Sequence, residues 1–593
     1  MKNLLTPAAL LLATGLLAAP AAAQRLDIEK FHDVSGKAKR GYLEDVKVDN
    51  AAGKIDMRFI TKSTTKEVAT QTYHFNTKYE LLGVDEASIP MEKVKGYRGE
   101  NYSKEAITVE VAGAGATGMA AAFAGFKALS GTPPGTILIR RRLIEYKWSW
   151  LGGGYRKRVK LLETIKPKTE AGGGFRYLGH VDDDATGTSL VLAAENLRLN
   201  NTKAFKMGLH LLHFSKDAEL DKDTYLDTDV PQQLMTMGAI GLDTDENADD
   251  TGKPAPDVAL VLFFDKGYGK TKGLHPANEY QYLRVSSAGE VKEKLRLDSP
   301  ASIWLINGAV PLADGGVMLY GPANEKTDVH YMDGMPAAKD GISSAELFKA
   351  KNFVLGKIKD GRVAWLTKTP LKEFEDKQQV PPGQKRTPDY TGKKFAIRLA
   401  YETPNGDIFV GGQNFKVQSG MLGGNKFADK LLGGDGNYKP ASQTYGDMLL
   451  FHFTGQGALR AQYGVRRTEN NATASVAPTA QFMRATADGK AVFWTFFEMD
   501  GWRTVKGLTA DGSRGGFFDP TEVETISYPS VTRIDLNAAT IGPQKTFGVT
   551  KEGKYYISNL YPTLPVGNST KQIVFFGENK KGSTLWFGQL PLE

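Results

Sequence analysis

Short runs of apolar, strand-forming residues recur along the whole chain, and a glycine turn introduces each run. Asp-Gly and Asn-Gly adopt the left-handed conformations that tight hairpins need, and runs rich in Val, Ile, Phe, Tyr and Leu suit buried strands. The pattern therefore predicts many hairpins. The copies are AAGKIDMRF at Gly53, ATGTSLVLA at Gly187, ADGGVMLYG at Gly316, PNGDIFVGG at Gly406, ADGKAVFWT at Gly489, KEGKYYISN at Gly553 and a looser PAPDVALVLFF at Asp257.

A second hairpin follows most of these glycine phrases. Residues 353–368, 447–464 and 531–548 each read as an alternating strand, a small turn and another strand. Two hairpins in succession make a four-stranded antiparallel unit, which is the blade of a β-propeller. The sequence thus predicts an all-β fold, a β-propeller of about seven four-stranded blades, with six or eight as alternatives. A tandem of β-sandwich domains is the alternative fold, because short strands and turns also build those.

In this arrangement of repeats the chain resembles β-propeller proteins in general, of the kelch or six-bladed TolB-like kind. The specific signatures of those families are absent: no Trp-Asp dipeptide ends the blades, no kelch set of paired glycines and spaced aromatics occurs, and no sialidase box is present. The resemblance implies architecture only, because propellers include binding scaffolds and enzymes alike.

The spacing of the glycine phrases predicts an insertion. The step from Gly53 to Gly187 is the longest, so a segment that is not part of a blade is expected between the first two units. The predicted organisation is a signal peptide (1–23), a first blade (24–86), a β-rich insertion that is basic, aromatic and partly Gly/Ala-rich (87–173), and the remaining blades (174–593).

The first residues read as an export signal. Lys2 precedes an uncharged Leu/Ala-rich stretch, and the small residues before Gln24 fit a cleavage site. The chain has no cysteine, which excludes disulfides, thiolate metal sites and a cysteine nucleophile. Together these features indicate an exported protein of a Gram-negative bacterium, located in the periplasm, on the outer surface or in the medium. No transmembrane segment is expected in the mature chain, although peripheral association with the outer membrane is compatible with the sequence.

Positive charge is concentrated in the insertion. The whole chain carries a net charge of +8, and residues 140–168 hold ten basic and two acidic residues, so 10 − 2 gives the same +8 in this one segment. This segment reads as a long hairpin with aromatic residues at its tip. It is either an ordinary solvated sheet, a docking element for an envelope protein or acidic glycan, or a nucleic-acid site, which an exported protein seldom needs. The predicted partner-binding residues are Arg140, Arg141, Arg142, Trp148, Trp150, Arg156 and Arg158.

Two further motifs resemble ligand sites. Gly113, Gly115 and Gly118 match a dinucleotide fingerprint but lack its βαβ context, so a closely packed Gly/Ala segment is the simpler interpretation. An acidic loop spaces oxygen ligands as calcium requires, yet it lacks the glycine and the glutamate of a complete calcium loop, and a solvated acidic loop is the alternative. The candidate calcium ligands are Asp243, Asp245, Asn247 and Asp249, and no other cofactor is expected.

The leading functional hypothesis is an exported, non-catalytic binding or scaffold protein of the bacterial cell envelope. It would engage a protein or glycan through the propeller face and the insertion. The first alternative is a propeller enzyme, a hydrolase or lyase acting on envelope polysaccharide or peptide with carboxylates in its central funnel. The second is a calcium-stabilised adhesion module. No nucleophile elbow, zinc-protease motif or P-loop selects a reaction, so whether the chain is an enzyme stays open.

Overall fold

The protein is nearly all β-strand in the computed structural model. Two short helices, α1 (Gly36–Arg40) and α2 (Leu371–Asp376), are the described exceptions. No helix in the described part of the chain is long and apolar enough to cross a membrane. The structure describes residues 24–63, 67–90, 103–111, 137–149, 154–168, 175–183, 188–195, 208–215, 219–226, 232–240, 257–264, 279–325, 349–385, 388–418, 442–467, 479–505, 522–551, 553–559, 561–568 and 570–593.

Seven sheets of four or five strands follow one another along the chain, and all their pairings are antiparallel except that of the two-residue strand 378–379, which confirms the predicted β-propeller. Blade one contains β2 (Tyr42–Asp49), β3 (Lys54–Ser63), β4 (Glu67–Asn76) and β5 (Leu81–Pro90). Blade two contains β9 (Phe175–Asp183), β10 (Thr188–Glu195), β11 (Leu209–Phe214) and β12 (Leu220–Leu226). Blade three contains β13 (Gln232–Ile240), β14 (Asp257–Phe264), β15 (Glu279–Val285) and β16 (Val291–Asp298).

The later blades add short strands to the same four-stranded plan. Blade four contains β17 (Ile303–Trp304), β18 (Gly308–Pro311), β19 (Val317–Asn324), β20 (Asn352–Lys359) and β21 (Arg362–Pro370). Blade five contains β22 (Gln378–Gln379), β23 (Phe395–Glu402), β24 (Ile408–Gln418), β25 (Ser442–Phe453) and β26 (Leu459–Val465). Blade six contains β27 (Gln481–Ala485), β28 (Ala491–Val505), β29 (Glu522–Asp535), β30 (Thr540–Ile541) and β31 (Lys545–Thr546).

The two ends of the chain build the seventh blade together. It contains β32 (Tyr555–Ile557), β33 (Thr563–Leu564), β34 (Gln572–Asn579), β35 (Thr584–Pro591) and, as its outer strand, β1 (Ile28–Asp33). β1 runs antiparallel to β35, and the Trp586 indole donates to the Glu29 carboxylate at 2.9 Å. This pairing closes the ring. The predicted first-blade range of 24–86 included this strand, whereas the sheet of blade one begins at Tyr42.

A three-stranded sheet lies between blades one and two in the chain. It contains β6 (Ser103–Val111), β7 (Ile137–Ser149) and β8 (Gly154–Ile165), and we call it the insertion sheet. β7 and β8 pair as the long hairpin that the sequence predicts, with Ser149 opposite Gly154. Ile137 and Ile139 are fully buried against Phe175 and neighbouring apolar residues of blade two. The insertion sheet therefore stacks on blade two as a further layer.

Neighbouring blades are joined by apolar side chains from facing sheets. Blades three and four share a cluster around Tyr282 and Trp304, and blades five and six share one around Tyr463 and Trp494. Similar clusters join blades two and three, four and five, six and seven, and seven and one. Burial of apolar area at these junctions supplies the main favourable contribution to folding.

The two faces of the ring differ in their connections. The glycine turns between the first and second strands, such as those at Gly53, Gly406 and Gly489, lie on one face, which we call the turn face; each of these three glycines has a positive φ. The opposite face, called the loop face, receives the connections between second and third strands. In blades two to six each of these spans more than ten residues: 196–208, 265–278, 325–351, 419–441 and 506–521.

Glycine also recurs in second strands where a first strand bends toward it. A Cβ added to Gly321 would lie 1.8 Å from the Leu305 carbonyl oxygen, and one added to Gly577 would lie 2.0 Å from that of Tyr556. Gly412 makes a similar approach to Ala396. These glycines are required by close backbone approach, because no side chain fits there.

Gly321→Ala is expected to lower the free energy of unfolding by about 1–3 kcal/mol or more, since the new methyl group must push β19 away from the first strand. Gly83→Ala is the matched control, because a Cβ there meets nothing within 4 Å. Its effect is expected to stay within about 0.5 kcal/mol. Chemical denaturation of both variants measures the difference, and equal stabilities would contradict the steric argument.

Candidate functional site

Acidic residues at the glycine phrases are paired with basic residues of the third strand in four blades. On the turn face, the carboxylates of Asp56, Asp257, Asp314 and Asp407 each accept a hydrogen bond from the third strand of their own sheet. The donors are His74 Nδ1 at 2.6 Å, Arg284 Nε at 2.7 Å, Lys357 Nζ at 2.6 Å and His452 Nε2 at 2.9 Å, respectively. These pairs hold the turn against the centre of the blade, so we assign them a structural role.

The pair in blade five is buried and part of a larger network. His452 is fully buried, its Nε2 donates to Asp407, and its Nδ1 accepts from the Tyr463 hydroxyl at 3.0 Å. Arg460 donates to the same Asp407 oxygen at 2.9 Å, and Phe409 stacks on the imidazole at 4.3 Å. Both ring nitrogens are therefore occupied, and this histidine is positioned to hold the blade together rather than to exchange protons with a substrate.

Burial sets the charge states in this network. Burial lowers the pKa of His452, and the nearby Asp407 only partly opposes this. Burial alone would raise the pKa of Asp407, but the hydrogen bond from His452 and the positive charge of Arg460 lower it below its usual value. A neutral imidazole between a carboxylate and a tyrosine satisfies every donor and acceptor.

His74 of blade one shows the opposite behaviour. The hydrogen bond to Asp56 raises the pKa of His74, and burial opposes this only in part. A second carboxylate, Asp85, lies 3.0 Å from Nε2. The imidazole therefore lies between two carboxylates that favour its charged form.

The stability that His74 contributes is expected to be fully present below its unfolded pKa, about 6.5, and to be lost as the pH rises through its raised folded pKa. His74→Gln removes this titration. The difference in melting temperature between wild type and His74→Gln should therefore shrink between pH 6 and pH 9. A constant difference across that range would contradict the assignment of a charged His74.

The loop face of blades five to seven carries a different cluster, centred on β28. Glu498 is buried and accepts from the Ser530 hydroxyl at 3.0 Å. Asp500 accepts from Lys554 Nζ and from the Tyr556 hydroxyl, each at 2.9 Å. The carboxylates lie two positions apart on one strand, but a β-bulge at residues 499–501 interrupts the alternation, so that Glu498 contacts its own sheet and Asp500 reaches blade seven. We call Glu498, Asp500, Tyr528, Tyr556 and Arg467 the loop-face cluster.

The other members of the loop-face cluster respond to these two negative charges. Burial raises the pKa of Tyr528 to about 12, and the charges of Glu498 and Asp500 add to the increase. Burial lowers the pKa of Arg467, while Glu498 opposes this. Arg467 donates to the Tyr445 carbonyl at 2.9 Å. The cluster therefore presents carboxylate acceptors beside protonated tyrosine donors, a combination suited to polar ligands that carry hydroxyl or amide groups.

The structure leaves the sequence-predicted site residues separate from this cluster. Arg140, Arg141, Arg142 and Trp148 lie on β7, and Arg156 and Arg158 lie on β8, where Trp148 is opposite Tyr155 and Glu145 is opposite Arg158. Trp150, the Gly113–Gly118 motif and the calcium candidates Asp243, Asp245, Asn247 and Asp249 lie outside the described residues. Within the described ranges, no three His, Cys, Asp or Glu side chains are grouped to hold a metal ion.

Sequence reasoning missed both the Asp407 network and the loop-face cluster. The Asp407 network did have a sequence signal, because an aspartate recurs within the glycine phrases. These aspartates are Asp56, Asp257, Asp314 and Asp407. No comparable signal marks Glu498 and Asp500, since alternating carboxylates on a strand are common on solvated sheets.

No protein family and no curated protein matches the sequence. Among solved structures, the chain is similar to the dihydro-heme d1 dehydrogenase NirN in complex with DHE, at 7% identity over 85% of this chain and 66% of that chain, with a TM-score of 0.27. It is also similar to the WD40 domain of SCAP from fission yeast (8% identity, 95% of this chain and 98% of that chain, TM-score 0.21). A mutant of Synechocystis apocarotenoid oxygenase gives 10% identity over 83% of this chain and 93% of that chain, with a TM-score of 0.28. No residue role is transferred from these structures, and the fold assignment rests on the strand pairing described above.

Proposed function

We propose that this is an exported binding protein of the bacterial cell envelope that holds a glycan or protein partner on the loop face of the propeller and on the insertion sheet. The observation that carries the proposal is the difference between the two faces. On the turn face, ion pairs hold the tight turns in place. The loop face carries the long connections between second and third strands and the loop-face cluster. Binding residues are commonly carried by loops that a rigid scaffold positions.

The chemistry of the loop-face cluster favours a partner rich in hydroxyl groups. Asp500 is the more accessible carboxylate, with 19% of its side chain exposed, and the hydroxyl of the buried Tyr556 holds it in place. Carboxylates accept hydrogen bonds from sugar hydroxyls. The basic insertion sheet supplies positive charge that attracts acidic partners.

Asp500→Asn is expected to weaken capture of envelope glycan at least about tenfold, because a charge-assisted acceptor is worth about 1.5–3 kcal/mol. Lys490→Ala is the control, because Lys490 is an exposed residue of the same blade but lies on the turn face, between β27 and β28. A pull-down from native envelope, with both variants shown to melt as wild type does, measures the effect. Equal capture by the two variants would remove the loop-face cluster from the proposal.

Replacement of charged and aromatic residues tests the insertion separately, without removing Ile137 and Ile139 from the core of blade two. If Arg140, Arg141, Arg142, Trp148, Trp150, Arg156 and Arg158 contact the partner, their replacement by alanine abolishes capture while the protein melts as the wild type does. Capture that survives these replacements but fails with Asp500→Asn would assign binding to the loop face alone.

The enzyme alternative is favoured by one observation, the approach of two carboxylates, Glu498 and Asp500, to the same tyrosine, Tyr528. Glycoside hydrolases use two carboxylates about 5–10 Å apart. The alternative requires that Glu498→Gln and Asp500→Asn each abolish turnover of an envelope polysaccharide while its binding persists. If the wild-type protein releases no product from the polysaccharide, the enzyme alternative is wrong and the binding proposal is retained.

A further inference from the structure

The first strands of the blades lie at the centre of the ring, and in blade five this strand carries an arginine on a β-bulge. First strands of neighbouring blades contact one another, as β9 does with β13 and β23 with β27. In β23, Ile397 pairs with Gly412 and Leu399 pairs with Gly411, so Arg398 is an extra residue in the register. Arg398 is exposed. Bulges redirect a side chain and recur beside functional sites, so Arg398 is a candidate ligand-binding residue.

A buried tyrosine holds the Arg398 side chain in place. A terminal nitrogen of Arg398 donates to the Tyr445 hydroxyl at 3.2 Å, and the guanidinium carbon lies 5.7 Å from the centre of the Tyr445 ring. Tyr445 is itself fixed by packing against Phe415. Arg467 donates to the carbonyl of the same tyrosine, and the charge of Glu498 acts on the pKa of Arg467. Arg398 therefore adjoins the loop-face cluster.

Blade one has a bulge at the corresponding place, but its charge is neutralised. The extra residue of β2 is Glu44, and Arg58 donates to its carboxylate at 3.1 Å. In the part of the chain that the structure describes, no carboxylate lies within ion-pair distance of Arg398, and the Tyr445 hydroxyl is the acceptor of its one hydrogen bond. A guanidinium has five N–H donors, so most of those of Arg398 are available to a ligand.

We propose that Arg398 binds a carboxylate of the partner, so that the partner of the loop face is an acidic glycan that contains uronic acid residues. The planar guanidinium can direct two parallel N–H groups at the two oxygens of a carboxylate. The adjoining loop-face cluster supplies Asp500 as an acceptor for sugar hydroxyls. A uronic acid residue carries one carboxylate and several hydroxyl groups on a single ring, which matches this pair of sites. The assignment rests on the proposed function and names the substrate class for the same face.

Titration with a short acidic sugar tests the role of Arg398. The probes are trigalacturonate and its methyl ester, which keeps the ring hydroxyl groups but carries no negative charge. The wild type is expected to bind the acid at least about tenfold more tightly than the ester, because hydrogen bonds between charged groups are stronger than neutral ones. Arg398→Gln should bind both probes with equal affinity. Arg362→Gln is the matched control, since Arg362 is also exposed but lies at the turn between β20 and β21, on the turn face.

The possible outcomes separate this assignment from the proposed function. Asp500→Asn should weaken the binding of both probes, because both keep their hydroxyl groups. Equal binding of acid and ester by the wild type, or a preference for the acid that survives Arg398→Gln, would overturn the assignment of Arg398 and leave binding at the loop face intact. If the wild type binds neither probe, the assignment is also wrong, and the capture experiment with native envelope decides the proposed function separately.

Discussion

A chain that lacks residues 24–34 is expected to lose its cooperative unfolding transition. The deletion removes β1, whose six residues pair with β35, and it strips the Trp586 indole of its Glu29 acceptor. It also removes Phe31 from its contact with Tyr555 and His32 from the Tyr79 carbonyl, 2.6 Å away. We expect a loss of more than about 5 kcal/mol, which is most of the stability of an ordinary domain.

Adding back the missing strand is the control for this deletion. A synthetic peptide of residues 24–35 can restore the outer strand of blade seven by β-strand addition. The truncated chain should therefore recover a sharp thermal transition when the peptide is present, and a scrambled peptide should have no effect. A truncated chain that melts as cooperatively as the full one would show that β1 does not close the ring.

Asp407→Ala is expected to lower the free energy of unfolding by about 3–5 kcal/mol, because it leaves His452 and Arg460 without their shared carboxylate. His452 is fully buried, so water cannot replace the lost acceptor without a rearrangement of blade five. Denaturant titration followed by intrinsic tryptophan fluorescence measures the change.

Asp488→Ala is the matched control for Asp407→Ala. Asp488 occupies the glycine phrase of the next blade, but 53% of its side chain is exposed, and its partners Thr486 and Lys490 are local. Its replacement is expected to cost about 1 kcal/mol or less. Equal losses for the two variants would contradict the argument from burial.

The Asp407 network also predicts a pH dependence. Burial holds the pKa of His452 below its usual value, so the stability that the neutral imidazole contributes is present above about 6.5, the unfolded value, and is lost as the pH falls. The Asp407→Ala variant should show a stronger loss between pH 7 and pH 5 than the wild type, because Asp407 partly opposes the lowering of the pKa of His452. This direction is opposite to that expected for His74.

The sequence by itself determined the local structure and the repeat. Glycine adopts the positive φ of the turns at Gly53, Gly406 and Gly489 without a steric cost, so the turns and the strands after them could be predicted. The hairpin of the insertion followed from its alternating pattern and is present as β7 and β8. Repetition of one hairpin unit then indicated a propeller, because such a unit cannot bury its apolar faces alone.

The tertiary structure decided everything that depends on contacts between distant residues. β1 pairs with a strand at the other end of the chain, and His452 meets Asp407 through the register of two neighbouring strands. Asp500 meets Tyr556 only because blades six and seven pack against each other. Local propensity sets turns and strands because it acts within a few residues, whereas burial, charge state and ring closure arise only once the blades are assembled.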